Sequence, residues 1–99
     1  MPFGFEFDSE KSAANKAKHG IDFVEAQAIW NDPDRLEVSA RSDVEPRSIE
    51  IGRIHETTWA ACVTYRHEEA IRIISVRRAR ARERQEYERG RSSKKHDSS

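Results

Sequence analysis

The residues of this chain best equipped for chemistry are arginines that gather where its most apolar run ends. "IRIISVRRARARERQEYER", residues 71–89, passes from strand-like to helical pattern with no loop residue between. Arg77 and Arg78 stand at the exit of the apolar run, and Arg80, Arg82 and Arg84 follow. A guanidinium stays charged and grips phosphate through two parallel bonds, so one at the rim of a packed face suits an anion site. Strand alternation sends Arg77 and Arg78 to opposite faces, and places Arg77 with Ile71, Ile73 and Ser75. Further on, Arg82 and Glu86, and Arg84 and Glu88, stand four apart, which reads as a solvated helix laced by ion pairs. The run therefore divides. Arg77 is the functional candidate, Arg82 and Arg84 face solvent, and Glu83 and Tyr87 turn together toward the sheet.

Two further groups carry candidates. In "NKAKHG", residues 15–20, Lys18 and His19 fall in the last turn of a helix, where the dipole favours cations. Plain C-terminal capping is the alternative. In "VEPR", residues 44–47, Arg47 enters the strand face of Ile49 and Ile51, and Glu45 stands beside it. The alternative there is a surface ion pair of little worth. No metal is expected, because His19, His55, His67 and His96 lack ligand spacing. No cofactor is expected either, since the glycines are isolated and form no phosphate loop. Cys62 lies mid-strand among apolar neighbours, where a thiol is usually inert.

Ninety-nine residues suffice for one domain with a thin core, since 36% are charged. A lone cysteine excludes an internal disulfide and fits a reducing cytoplasm. No apolar stretch reaches a membrane span, and "MPFGFEFDSEK" lacks the order of a signal peptide. The zero net charge hides a split. Residues 1–69 hold 8 Lys/Arg against 14 Asp/Glu, while residues 70–99 hold 10 against 4. One end can meet a polyanion and the other a basic partner, unless the halves neutralise each other in the fold.

The elements that must position these groups follow from period and punctuation. "FGFEFD" alternates Phe3, Phe5 and Phe7 as a short strand. Asp8 or Ser9 caps a helix through "SEKSAANKAKHG", with Ala13 and Ala17 sharing a face and Gly20 as the left-handed stop. A second helix opens at Asp22 with Glu25 three residues on, presents Phe23, Ala26, Ile29 and Trp30, and ends at Asn31-Asp32-Pro33. Four strands follow, joined by the short links "SDVEP", "HETT" and "HEEA", which predicts an antiparallel meander. "IRIISV" reads as a central strand covered on both faces. A helix from about Ala79 ends at Gly90, and residues 91–99 form a disordered polar tail beyond a single domain of residues 1–90. The order is β-α-α-β-β-β-β-α: an α+β domain with a small twisted antiparallel sheet, two N-terminal helices and one C-terminal helix.

Together these stretches form the order "FEFD…N..KHGIDFVEA…W.DP…E.R…G…IRIISVRRA…ER..Y", which resembles the BrnT family of type II toxin–antitoxin toxins over residues 5–87. The resemblance implies a RelE/ParE-like fold and an endoribonuclease that arrests growth by cutting RNA. It also implies a cognate antitoxin with a ribbon-helix-helix DNA-binding part. The complex, dimeric in each component, would repress its own operon and touch operator DNA only through that antitoxin. The polar tail exceeds the usual family ending, and RelE-like toxins differ among themselves in catalytic residues.

RNA can be cut without a metal when its own 2′-OH attacks the neighbouring phosphate, given a base, an acid and charge stabilisation. Arg77 and Arg47 suit the charge. A histidine changes charge near neutral pH, so His19 suits acid or base. Lys18 orients phosphate, Glu45 is a candidate base, and Tyr87 can donate a proton or stack on a base. Arg66, Arg78 and Arg80 are candidates for holding the RNA backbone. Two other readings are a non-catalytic, ParE-like toxin that binds a protein and a DNA-binding corepressor subunit. The titratable and basic group Lys18, His19, Arg47 and Arg77 favours the nuclease.

Overall fold

The computed structural model of the chain describes residues 4–40, 46–67 and 70–97, and of residues 66, 67 and 93–97 the backbone alone. Phe3 and Glu45 lie outside the described residues, as does the side chain of Arg66. The elements run β1 (Gly4–Glu6), α1 (Ser9–His19), a 3-10 helix (Glu25–Asn31), β2 (Leu36–Ala40), β3 (Arg47–Ile54), β4 (Thr57–His67), β5 (Ala70–Arg78) and α2 (Ala81–Asp97). The order matches the pattern read from the sequence. Strands β2 to β5 form the expected antiparallel meander, but β1 adds to the edge of β5 in parallel. The sheet is therefore mixed, in the order β1-β5-β4-β3-β2, and not purely antiparallel. Joining β1 to the far end of the meander takes a long-range contact that local pattern does not encode.

The caps form as their chemistry demands. Asp8 accepts from Glu10 N and Lys11 N at 2.8 and 3.2 Å, and Gly20 ends α1 at φ 85°. Asp22 and Glu25 exchange backbone-to-carboxylate bonds of 2.7 and 2.9 Å, a reciprocal capping box. The segment after it is a 3-10 helix rather than an α-helix. Ala26 and Ile29 are fully buried, and three residues per turn stack them on one side, with Phe23 buried just before the helix. That side sits on Gly52, where a Cβ would lie 2.8 Å from Ile29 Cγ2 and 3.2 Å from Ile29 O. Only glycine admits so close a backbone.

Two apolar clusters flank the sheet. The larger joins Ile21, Phe23, Ala26 and Ile29 to Trp59, Ala61, Val63, Ile71, Ile73 and Val76. The smaller places Tyr87 of α2 on Ile51, Ala60 and Ala79. Helix α1 contributes polar groups to its buried side: Ser12 and Asn15, not Ala13 and Ala17, are covered. Ser12 Oγ accepts from Phe23 N at 2.9 Å, which offsets the cost of covering the hydroxyl.

Helix α2 runs from Ala81 to Asp97, past Gly90, where the sequence pattern placed its end. Arg91 supplies a reason, pairing with Asp34 at 3.4 Å and with Glu88 at 3.8 Å. These contacts hold the turn after Gly90 against the body, where a mid-helix glycine costs only about 1 kcal/mol.

Candidate functional site

The exit of β5 decides where the arginines point. Val63 pairs with Ile73 but Cys62 pairs with Ser75, so Ile74 is an extra residue in β5, a β-bulge. One inserted residue reverses the side-chain alternation beyond it. Val76 thus joins Ile71 and Ile73 in the larger core, while Arg77 turns to the opposite face. There it stands in a cross-strand row with Ala60, Ile51 and Leu36, on the side of α2. The simple alternation that grouped Arg77 with Ile71 and Ile73 fails for this reason.

On that face Arg77 is held by α2. Its Nη1 and Nη2 meet the two carboxylate oxygens of Glu83 at 2.8 and 2.9 Å, and Nη1 also donates to Arg78 O at 3.2 Å. Glu83 in turn accepts from Arg80 N at 2.7 Å, closing the first turn of α2. The hydrogen bond from Arg77 holds the Glu83 carboxyl below the usual range against the opposing effect of burial. The same bond strengthens the hold of Arg77 on its proton. A two-pronged grip on a carboxylate is also the geometry of a grip on phosphate.

The other expected residues distribute unevenly around this pair. Arg78 takes the opposite face, with its guanidinium 6.0 Å from the Trp59 ring. Arg80 is exposed and lines an open cleft of about 610 Å³ with Leu36, Val38 and Ile51 of the sheet and Glu83 and Glu86 of α2. Arg47 shares the face of Ile49 and Ile51, opposite Ala40, but enters β3 four residues before Ile51, about 13 Å along the strand from the Arg77 row. The structure does not bring Arg47 and Arg77 together.

Tyr87 is 2% exposed and donates to Asp32 Oδ2 at 2.5 Å. Burial, and then this bond, raise its pKa well above the ordinary phenol value. The geometry makes Tyr87 an anchor of α2 on the sheet. Asp32 also accepts from Arg53 N and Asp34 N at 2.8 Å each. Burial works against its charge, but these donors outweigh it and lower its pKa.

Lys18 is exposed and His19 half-buried in the last turn of α1. Neither side chain forms a hydrogen bond or ion pair among the described residues. Their helix is fixed to β5 by Asn15, whose amide donates to Val76 O at 2.9 Å and to Ile21 O at 2.8 Å, and accepts from Val76 N at 3.1 Å. The pairs expected between Arg82 and Glu86 and between Arg84 and Glu88 do not form. Glu86 pairs with Arg89 and Glu88 with Arg91, and Arg84 instead donates to Ala79 O at 2.6 Å. Among the described residues no cluster of three His, Cys, Asp or Glu side chains comes together, and no helix is long and apolar enough to cross a membrane.

Sequence reasoning assigned no role to three groups. Glu83 carried a signal, being the carboxylate at the third position of a helix, three residues after Arg80. Asn15 carried none. Glu50 sits between two isoleucines and is fully buried, bonded to Arg35 Nε at 2.8 Å and Tyr65 OH at 2.6 Å. Its face is covered because Glu50 pairs with Ala61 of the larger core, which pattern alone does not show.

Known proteins resemble the chain over most of this architecture. The family described as "Ribonuclease toxin, BrnT, of type II toxin-antitoxin system" matches residues 7–83, from the end of β1 to the carboxylate that holds Arg77. Among solved structures, the 1.1 Å crystal structure of the Brucella abortus ribonuclease toxin, BrnT, superposes with a TM-score of 0.64 at 25% identity. That alignment covers 79% of this chain and 97% of the other. No curated protein matches. The matched span contains α1, strands β2 to β5 and the Arg77–Glu83 pair, and the chain belongs to the BrnT family of ribonuclease toxins of type II toxin–antitoxin systems.

Proposed function

We propose that this chain arrests growth by cleaving RNA without a metal, through attack of the 2′-OH on the adjacent phosphate to leave a 2′,3′-cyclic phosphate. The observation that carries this reading is the Arg77 fork, which already grips a two-oxygen anion at the rim of the sheet. An RNA phosphate entering here exchanges with Glu83 and meets the same pair of donors as charge builds on its oxygens. Arg78 and Arg80, on either side of the strand exit, hold neighbouring phosphates, with Arg66 as a further backbone contact. His19 and Lys18 are the proposed proton-transfer and phosphate-orienting groups from α1. Glu45 is the proposed base, and Arg47 a contact further along the RNA.

The family supplies an antitoxin. We take it to carry a ribbon-helix-helix part, to dimerise with the toxin and to repress the shared operon from the cytoplasm. The RelE/ParE-like kinship suggested by the sequence is part of the same proposal. The test is to incubate purified protein with RNA, with and without chelator, and to analyse the product ends. Cleavage unaffected by EDTA with cyclic phosphate termini is expected. Activity lost to EDTA and restored by magnesium overturns the mechanism.

A further inference from the structure

A second gathering of arginines lies on the flank of α2 away from the Arg77–Glu83 pair. Arg53 of β3, Arg78 of β5 and Arg84 of α2 line an open cleft of about 480 Å³ whose wall also holds Thr57 and Thr58. Arg53 and Thr58 are cross-strand partners, and Ala79 N donates to Thr58 O at 2.9 Å, so the cleft is seated on the closed end of the sheet. Two of the three guanidinium groups are aimed by the protein. Arg84 is held on Ala79 O and Arg78 lies over Trp59.

None of the three forms an ion pair among the described residues, although Glu56 and Glu88 line the same wall. Arg53 Nε is buried without a hydrogen-bond partner. Like charges converging from three elements repel, and a buried unpaired donor is costly, unless an anion completes the arrangement.

We propose that this cleft is a phosphodiester-binding subsite, in which Arg53, Arg78 and Arg84 hold the backbone of the RNA strand beside the cleavage site; it rests on the ribonuclease reading above. A nucleic-acid strand places its charges one per nucleotide with neutral sugars between, so Glu56 and Glu88 face uncharged segments. A carboxylate-dense peptide sets charge against charge there.

The test is fluorescence anisotropy with a single-stranded 2′-O-methyl RNA, which lacks the attacking hydroxyl and is not cut. Arg53→Gln and Arg84→Gln each weaken binding roughly tenfold and lower the slope of log K against log salt by about 0.7. Arg78→Gln does the same, which covers the case in which Arg84→Gln disturbs α2. Arg89→Gln, an exposed α2 arginine outside the cleft, leaves both nearly unchanged. No binding by the native chain, equal losses from Arg89→Gln and Arg53→Gln, or equal competition by a glutamate-rich peptide of matched charge each overturns the subsite. Cleavage of unmodified RNA, followed in parallel, reports on the nuclease reading alone. Binding through the cleft without cleavage refutes the nuclease and keeps the subsite, while cleavage with unchanged Arg53→Gln binding refutes only the subsite.

Discussion

Asn15 stands in for a missing strand beside Val76. Strand β1 pairs with β5 only from Ala70 to Arg72, which leaves the later edge of β5 without a partner strand. The Asn15 amide supplies the donor and the acceptor that a neighbouring strand would have offered to Val76, 61 residues away in the chain. Its third bond, to Ile21 O, ties the turn after α1 to the same point. One side chain thereby fixes the helix carrying Lys18 and His19 against the strand carrying Arg77. Asn15→Ala leaves three buried backbone groups unsatisfied, at about 1–3 kcal/mol each before relaxation. A fall in urea midpoint with an unchanged m-value is expected.

Arg77→Ala should abolish toxicity on expression in bacteria and reduce RNA cleavage about a hundredfold or more, as loss of a transition-state donor does. Circular dichroism should show the fold retained, because Glu83 still caps α2 through Arg80 N. Full toxicity from a folded Arg77→Ala protein would remove Arg77 from the mechanism.

Tyr87→Phe removes the bond to Asp32 from a residue that fastens α2 to the sheet. The expected cost is about 1–3 kcal/mol, read by thermal or urea unfolding. The Asp32 pKa is depressed in the fold, so its stabilisation is present above the unfolded carboxylate pKa and is lost as pH falls through the folded value. The variant should lose part of that acid sensitivity. Cleavage per folded molecule should stay near the native level; a large drop in a folded protein would return Tyr87 to the chemistry.

Glu50→Gln tests the buried carboxylate. Burial raises its pKa, against the bonds from Tyr65 and Arg35. A raised folded pKa means that stability is greatest at low pH and declines as pH rises through that value. The variant should therefore gain on the native protein from pH 4 to pH 8 in urea unfolding. Arg35 and Tyr65 are partly exposed and can turn to water. A growing deficit with pH would show that the Arg35 pair outweighs desolvation.

Local chemistry determined much of this protein from sequence alone. The caps at Asp8, Asp22 and Gly20, the four-strand meander and the inward turn of Glu83 and Tyr87 all follow from spacing and residue type. These depend on neighbours within a few positions, where sterics and hydrogen-bonding capacity act directly. Only the tertiary structure decided the rest. The bulge at Ile74 is set by pairing with β4, and it moves Arg77 to the other face. The parallel addition of β1 and the use of Asn15 as a surrogate strand arise between segments more than 60 residues apart, and the burial of Glu50 between strands and a loop brought together by the fold. Pattern shows that a strand has two faces, but which groups meet there depends on what packs across them, and that is fixed only when the whole chain closes.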